Sequence, residues 1–523
     1  MRNNENIYLE IKTGKATATF IGRSVIRDYL CYVLGKGIQM NVSDSVVDDS
    51  NTDFYIVDDI TEDNHIEKSS DARIIMLSDF IDVLNDVHIP NDRPVALWGG
   101  GIELDKQIGT IMKYCSPKVI IDQSKEGEYL GIPFVRKEQI DIGDFFIIVT
   151  TTKYAGEISS FLVKSGRKEG EDFILGANPA FLNNNAQLFR RAITAEPLKK
   201  VACRRPFTYL NVGVSGLLTH CCYEWLPIFV GNVLNNSENA YDTITSRIIR
   251  VSFMNQSYAF CNTVCCPFMS NTRDMLCLED KNVVDDELYM HDQNIVDVDV
   301  AFDNTCNLFC ESCRDKYIID NSDGNIQIAE KISESLLPKV HRLTVAGNGE
   351  VFLSKAYARI FDKTYPNTVL TILSNGNIFT EDKWKMIDGK FKDIILMFSV
   401  DAATKETYEK VRRGGRWENV MRGLSLASKL KKEGKISKFI IRFVVSNRNY
   451  IEMPDFVRLG SKLGCDIVDF SRIENWGTFS ESEFEEVSMF IGDEPKEEMK
   501  KVLSLPEMRN EIVHYTNIVA GNK

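Results

Sequence analysis

The sequence predicts a multidomain α/β protein whose C-terminal half is an incomplete (βα)6 barrel, with a small cysteine-rich module ahead of it. Three observations predict this. Short β-rich runs alternate with helical stretches along most of the 523 residues. Six such runs between 295 and 470 each lead into a polar or glycine-rich segment, and in (βα) barrels the strand C-terminal ends carry the active site. Ten of the 13 cysteines lie between Cys203 and Cys313. At about 150 residues per domain the length alone implies three to four domains.

Composition narrows the function classes. With 44% apolar and 26% charged residues, the chain has ordinary globular usage and is not largely disordered. Its formal charge is 62 − 75 = −13, which repels phosphate backbones and argues against a general nucleic-acid binder. No run approaches 18 uninterrupted apolar residues, so no membrane span is expected. The start, Met1-Arg-Asn-Asn-Glu-Asn, lacks the apolar stretch of a signal peptide, and a cytoplasmic location is expected. In that compartment clustered thiols point to metal rather than to disulfides.

Residues 1–90 read as an α/β region: a strand at Thr17–Ile21 enters a turn at Gly22, and Phe54–Val57 and Arg73–Leu77 are further β-rich runs. Residues 91–195 read as a Rossmann-like domain. Val95-Ala-Leu-Trp is a buried-strand run, Gly99-Gly-Gly101 opens a helix, and Val119-Ile-Ile ends at Asp122, 21 residues beyond Gly101. Strand, glycine turn, helix and acid at that spacing form the nucleotide-binding βαβ arrangement. Leu104 stands where its third glycine belongs, so a scaffold without nucleotide is the favoured expectation.

Residues 196–285 form the cysteine-rich module: Cys203-Arg-Arg-Pro-Phe, Cys221-Cys222-Tyr-Glu-Trp225, Gly231-Asn232, and Cys261-x-x-x-Cys265-Cys266-Pro267. Four thiolates from this set suit tetrahedral zinc or an iron–sulfur cube. Cys31, Cys115 and Cys465 are isolated and read as small buried hydrophobes. His220 and His291 show no paired metal spacing and read as structural groups.

Residues 286–485 hold the barrel. Ile295–Phe302 opens onto Asp303-Asn-Thr-Cys306-Asn-Leu-Phe-Cys310-Glu-Ser-Cys313. Three thiolates on one loop hold three irons of a cube and leave the fourth without a cysteine ligand from the loop. Arg342–Ala346 leads to Gly347-Asn-Gly349-Glu350, Val369–Leu373 to Ser374-Asn375-Gly376, and Ile394–Phe398 to Ser399-Val-Asp401. Tyr408-Glu-Lys-Val-Arg412, Phe439–Val445 and Asp466–Phe470 with Arg472 follow. Tyr317, placed on a helix after the cysteine loop, is either core or substrate wall. Residues 486–523 read as a C-terminal helical tail.

The cysteine spacing and the order of these strand-end segments over roughly residues 295–480 resemble the radical S-adenosylmethionine (radical SAM) superfamily. The resemblance implies a [4Fe-4S] cluster on Cys306, Cys310 and Cys313 that reduces S-adenosylmethionine to methionine and a 5′-deoxyadenosyl radical, which takes a hydrogen atom from a substrate C–H bond. It implies Gly347, Gly349, Glu350, Ser374, Asn375, Ser399, Asp401 and Arg412 as the cofactor cradle. It also implies a reducing partner such as a flavodoxin or ferredoxin. Ser312 departs from the aromatic that many members place beside the adenine.

The module at 196–285 resembles a SPASM or twitch domain, which implies an auxiliary [4Fe-4S] cluster, here on Cys203, Cys222, Cys261 and Cys266, with Cys221 and Cys265 as the less favoured neighbours. Such modules usually follow the barrel, whereas this one precedes it. The leading expectation is an oxidoreductase-type radical SAM enzyme that modifies a peptide or protein side chain. The alternative is the same chemistry, as oxidation, epimerisation or rearrangement, on a sugar, nucleotide-sugar or other small polar metabolite. A non-catalytic metal-binding scaffold is the remote alternative.

Overall fold

A computed structural model describes residues 7–8, 10–11, 13–22, 26–27, 30–31, 40–42, 52–58, 73–77, 80, 89, 92–151, 154–168, 171–175, 184–196, 198, 203–223, 225–226, 228–234, 243–262, 266, 295–320, 322–345, 348–475, 478–492 and 494–518. The chain divides into two compact units, 1–210 with 217–293, and 211–216 with 294–523. It is a mixed α/β structure with parallel sheets.

The first unit begins with a parallel sheet of β1 (Ala18–Ile21), β2 (Met40–Val42), β3 (Phe54–Val57) and β4 (Arg73–Met76) in the order β2-β1-β3-β4. A second sheet follows: β5 (Val95–Trp98), α1 (Ile102–Tyr114), β6 (Val119–Ile121), β7 (Glu128–Tyr129), β8 (Ile132–Val135), β9 (Phe146–Val149), α2 (Ala155–Lys164) and β10 (Phe173–Leu175). Its order is β10-β9-β5-β6-β8-β7, parallel except for the β7–β8 hairpin. β5 and β9 are buried at every position, as apolar runs covered on both faces require. Leu97, Ile108 and Ile148 share one core, and Ala96, Ile147 and Leu162 the other. Helix α3 (Asn184–Thr194), the β11–β12 hairpin (Leu217–Thr219 with Gly231–Asn232) and α4 (Ile244–Met254) also belong to this unit.

The second unit is a sheet of seven parallel strands in chain order: β13 (Asp297–Val300), β14 (Arg342–Val345), β15 (Tyr365–Ser374), β16 (Phe391–Ser399), β17 (Lys438–Val445), β18 (Ile467–Arg472) and β19 (Val513–Tyr515). Helices α5 (Asp323–Ser335), α6 (Lys355–Phe361), α7 (Lys405–Val411), α8 (Trp417–Lys432) and α9 (Met453–Leu463) lie in the crossovers, with a five-residue helix at Glu381–Lys385 between β15 and β16. Alternation in β15 and β16 buries every second residue, with Phe398 against Phe379 and Phe439. Close packing of α9 depends on Gly460, where a Cβ would lie 2.3 Å from Val468 Cγ2. The tail holds α10 (Glu497–Leu503) and also the seventh strand, β19, which the sequence reading did not contain. Among the described residues no helix is long and apolar enough to cross a membrane.

Candidate functional site

The end of the second unit's sheet where β13, β14, β15 and β16 terminate gathers the polar segments singled out in the sequence. The β13 exit runs into the cysteine loop, whose Asp303 is buried, with Oδ1 accepting from Thr305 N at 2.8 Å and Oδ2 from Ser354 Oγ at 2.5 Å. Gly349 makes the next segment fit. A Cβ there would stand 2.5 Å from Thr305 O and 2.7 Å from Asp303 O, so only glycine lets the β14 exit lie on the cysteine loop. Glu350 N donates to Thr305 O at 2.6 Å in the same contact. Gly347 lies outside the described residues.

Glu350 is fully buried and joins two strand exits. Its Oε1 accepts from Ser374 Oγ (2.8 Å) and Phe352 N (3.1 Å), and its Oε2 from Asn375 N (2.8 Å). Burial pushes its carboxyl above the usual range, against the pull of these three donors. Asn375 then turns its Nδ2 to Asn307 Oδ1 (2.9 Å) and to Cys306 Sγ (4.0 Å). Ser399 ends β16 half-buried.

Two residues on, Asp401 adopts φ +64°, a left-handed conformation that Asp tolerates better than most residues. Its Oδ1 accepts from Val444 N at 2.8 Å, and its Oδ2 pairs with Arg412 Nη2 at 2.7 Å, with side chains only 11% and 13% exposed. Arg412 Nη1 reaches Cys310 Sγ at 3.6 Å, and among the described residues its buried Nε has no partner. Burial opposes the guanidinium charge, but Asp401 and Cys310 more than offset it and hold its pKa above the ordinary value. Burial likewise pushes the Asp401 carboxyl up, with Arg412 opposing.

The cysteine loop is held by residues the sequence reading did not single out. Arg413 donates from Nε to Phe309 O (2.9 Å) and from Nη2 to Arg314 O (3.3 Å), and Phe309 N returns a bond to Arg413 O (3.0 Å). Arg314 donates to Cys313 Sγ (3.3 Å), to Asn304 O (2.7 Å) and to Asn348 O. Their only signal in the sequence is position, immediately after Arg412 and Cys313. Tyr317 is not on a helix: it lies in an irregular segment, 53% exposed, edge-on to Phe309. A Cβ at Gly414 would meet its hydroxyl at 2.5 Å, so this glycine admits the ring.

Cys306 is buried, Cys310 half-buried and Cys313 exposed. Burial pushes the thiols of Cys306 and Cys310 up; Arg314 opposes this at Cys306 and Arg412 at Cys310. N–H donors aimed at both sulfurs suit cysteines that serve as thiolate ligands, which accept such bonds. Among the described residues, however, no three His, Cys, Asp or Glu side chains converge as a metal-holding group.

In the first unit, Cys221 lies near enough to Cys203, Cys222 and Cys266 for their charges to interact, and Cys261 near enough to Cys203, Cys221 and Cys266. Burial pushes Cys221 up to about 12, with Arg205 opposing; Arg205 Nη1 donates to its Sγ at 3.8 Å. The same guanidinium lies over the rings of Tyr209 and Trp225. Cys222 is half-buried, and Cys265 lies outside the described residues. His220 is fully buried between Tyr209 O (3.2 Å) and Ser246 Oγ, and burial lowers its pKa to about 3.

At the glycine turn after β5, Asp122 accepts from Gly100 N (2.9 Å), Ser124 N (2.9 Å), Ser124 Oγ (2.9 Å) and Lys125 N (3.2 Å). Desolvation raises its pKa, but these four bonds win and lower it. A Cβ on Gly100 would stand 2.6 Å from Phe134 Cε1 and 3.0 Å from Asp122 Oδ2. Asp122 thus has a structural task, closing its own loop on the turn.

No family model matches the chain, and no curated protein is similar to it. Solved structures are similar over about a third of the chain. Streptococcus suis SuiB bound to its precursor peptide SuiA is 13% identical over 34% of this chain and 39% of that one, with a TM-score of 0.28. TYW1 with a lysine–pyruvate adduct is 15% identical over 36% and 66%, with a TM-score of 0.26. The enzyme anSMEcpe with AdoMet and the Kp18Cys peptide is 17% identical over 34% and 52%, with a TM-score of 0.26. SuiB is also known bound to S-adenosylmethionine, the ligand that anSMEcpe carries. The chain spans about two fifths of the length of SuiB and half that of anSMEcpe.

Proposed function

We propose that the chain is a radical SAM enzyme, with its second unit as the partial barrel and the loop of Cys306, Cys310 and Cys313 as the seat of a [4Fe-4S] cluster. The observation that carries this reading is the convergence of three strand exits and a helix end, distant in sequence, on one cysteine loop: Gly349 against Thr305, Asn375 toward Cys306, and Arg412 toward Cys310 with Asp401 behind it. Core packing alone does not require donors on two sulfurs. Such a cluster, when bound, supplies the electron that turns S-adenosylmethionine into a hydrogen-abstracting radical.

The chain's own residues then bind and position. Arg412 and Asn375 steady the thiolates. Glu350 fixes the Ser374–Asn375 exit, and Ser399 and the Gly349 turn line the same end. With its carboxylate already committed to three donors, Glu350 acts by shaping the cradle. Anaerobically reconstituted protein with dithionite should convert S-adenosylmethionine to 5′-deoxyadenosine, and Cys310→Ala should abolish the conversion. Continued cleavage in Cys310→Ala would sink the assignment.

The auxiliary site is an iron–sulfur cluster in the SPASM or twitch manner. Its proposed ligands are Cys203, Cys261 and Cys266 with one of the adjacent pair Cys222 and Cys221, thiols whose charges interact. Reconstituted protein should hold about eight irons, and the Cys306/Cys310/Cys313→Ala protein about four, in a cluster whose paramagnetic resonance ignores added S-adenosylmethionine. About four irons plus one zinc in the wild type would replace the auxiliary cluster by structural zinc.

A peptide or protein side chain is the proposed substrate, with a flavodoxin or ferredoxin as the electron source. One observation favours the small-metabolite reading. The five parallel strands of the second sheet, β5, β6, β8, β9 and β10 in chain order, lie as 3-2-1-4-5, the doubly wound order of Rossmann-like domains. The glycine turn leaves β5 at the switch point, where a Cβ on Gly99 would stand 2.9 Å from Thr151 Cβ. Nucleotide-sugar binding by the chain, measured by calorimetry, would decide for that reading.

A further inference from the structure

The sheet of the second unit carries a polar row that the preceding reading does not use. Strand register sets Ser399 of β16 beside Arg442 of β17, Arg442 beside Asp469 of β18, and Asp469 beside His514 of β19. Their sequence neighbours face the helices: Ile441 and Val468 approach Gly460 of α9, and Phe443 and Phe470 pack on Phe456 of the same helix. Alternation therefore puts the row on the helix-free face. Ser399 is the last residue of β16, so the row is level with the strand exits that approach the cysteine loop.

Asp469 organises the row. Its side chain is 9% exposed, its Oδ2 accepts from Arg442 Nε at 3.0 Å, and its Oδ1 accepts from both His514 Nδ1 and Thr516 Oγ1 at 2.7 Å. A carboxylate held beside an arginine can only accept. The His514 ring must therefore carry a proton at Nδ1, which leaves a lone pair at Nε2 of the neutral ring. The His514 side chain is 61% exposed, and among the described residues its Nε2 meets no partner. A buried acid that fixes one tautomer of an accessible imidazole is the arrangement of a general base.

We propose that His514 is the proton acceptor for the substrate, with Asp469 as its positioning residue. The inference rests on the proposed function for where substrate lies. It implies a substrate with a hydroxyl or amide N–H next to the carbon under attack. In the step, that O–H or N–H bond breaks and the proton bonds to Nε2. Its electron pair stays on the substrate oxygen or nitrogen, and no electron is transferred. Asp469 remains ionised and stabilises the imidazolium.

Two measurements on the full chain test this without a known substrate. Nitrogen-15 spectra of histidine-labelled protein should show His514, assigned by the signals lost in His514→Gln, as the Nδ1–H tautomer at alkaline pH. Asp469→Asn should release that preference. Diethyl pyrocarbonate, which needs the Nε2 lone pair, should modify His514, and saturating S-adenosylmethionine on the reconstituted protein should slow this roughly tenfold. His341, just before β14 at the opposite end of the strands, should be unaffected by S-adenosylmethionine.

An Nε2–H tautomer in the wild type overturns the proposal and needs no variant to fold. So does unprotected His514 in protein that binds S-adenosylmethionine by equilibrium dialysis. Failure to bind S-adenosylmethionine at all counts against the proposed function instead, and the tautomer still decides the dyad.

Discussion

Asp401→Asn isolates the electrostatics of the pair behind the cysteine loop. Asn tolerates the left-handed φ of +64° at this position, and its Oδ1 can keep the 2.8 Å bond from Val444 N, so neither backbone strain nor that bond is disturbed. What changes is Arg412. Its side chain is 13% exposed and among the described residues its Nε has no partner, so the substitution strands a buried charge that keeps a contact with Cys310 Sγ at 3.6 Å. Breaking a buried pair on one side costs about 3–5 kcal/mol, whereas an exposed pair is worth roughly 0–1 kcal/mol.

Amide hydrogen exchange followed by mass spectrometry reads this locally, on peptides from β16 and β17. A loss of about 3–5 kcal/mol in local opening corresponds to exchange roughly 150- to 5,000-fold faster, at 1.36 kcal/mol per decade. Adding Arg412→Met should recover most of the protection, because the stranded charge is gone. Glu381→Gln, which breaks the Lys429–Glu381 pair whose side chains are both 57% exposed, should change exchange little. A less than tenfold effect of Asp401→Asn, or simple additivity with Arg412→Met, would refute the argument.

Other outcomes follow from burial and contact. The unfolding free energy should fall as pH drops from 6.5 toward about 3, because His220 is held neutral in the fold while the unfolded chain takes up a proton. The slope contributed is about 1.4 kcal/mol per pH unit, and denaturant titrations of His220→Gln should show it removed. Gly349→Ala brings a Cβ against two backbone oxygens that cannot swing aside, at 2.5 and 2.7 Å. It should cost about 1–3 kcal/mol or more, seen as faster exchange in peptides spanning 303–313, where an unchanged pattern would contradict the close approach.

Legibility in the sequence followed pattern length. The runs at 342–345, 394–398 and 439–445 were readable as strands because they alternate or are continuously apolar over four or more residues, and their polar exits stand directly after them. β19 was not: Val513-His-Tyr515 is a three-residue edge strand inside a charged tail, too short to show a period, and it takes His514 out of view with it. Asp469 was hidden for another reason: it lies inside the Asp466–Phe470 run, and attention went to the polar residues after the run. The task of Asp122 was ambiguous because an acid after a strand serves a ribose or its own loop equally well. Only the four donors around it tell the two apart. The choice between Cys221 and Cys222 depends on which way each thiol of an adjacent pair turns, and spacing carries no information on that.

The bonds between Arg413 and Phe309 have a consequence for the order in which the protein is made. They join positions 104 residues apart, and Arg412 reaches Cys310 across 102. A growing chain emerges at about 5–20 residues per second, so the three thiols are exposed for several seconds before the segment that clamps their loop has been synthesised. Contacts of such long range are also the slowest to form once the chain is complete. Until the 412–413 segment arrives, the three cysteines lack the clamp on Phe309 and the guanidinium beside Cys310 that the folded loop gives them.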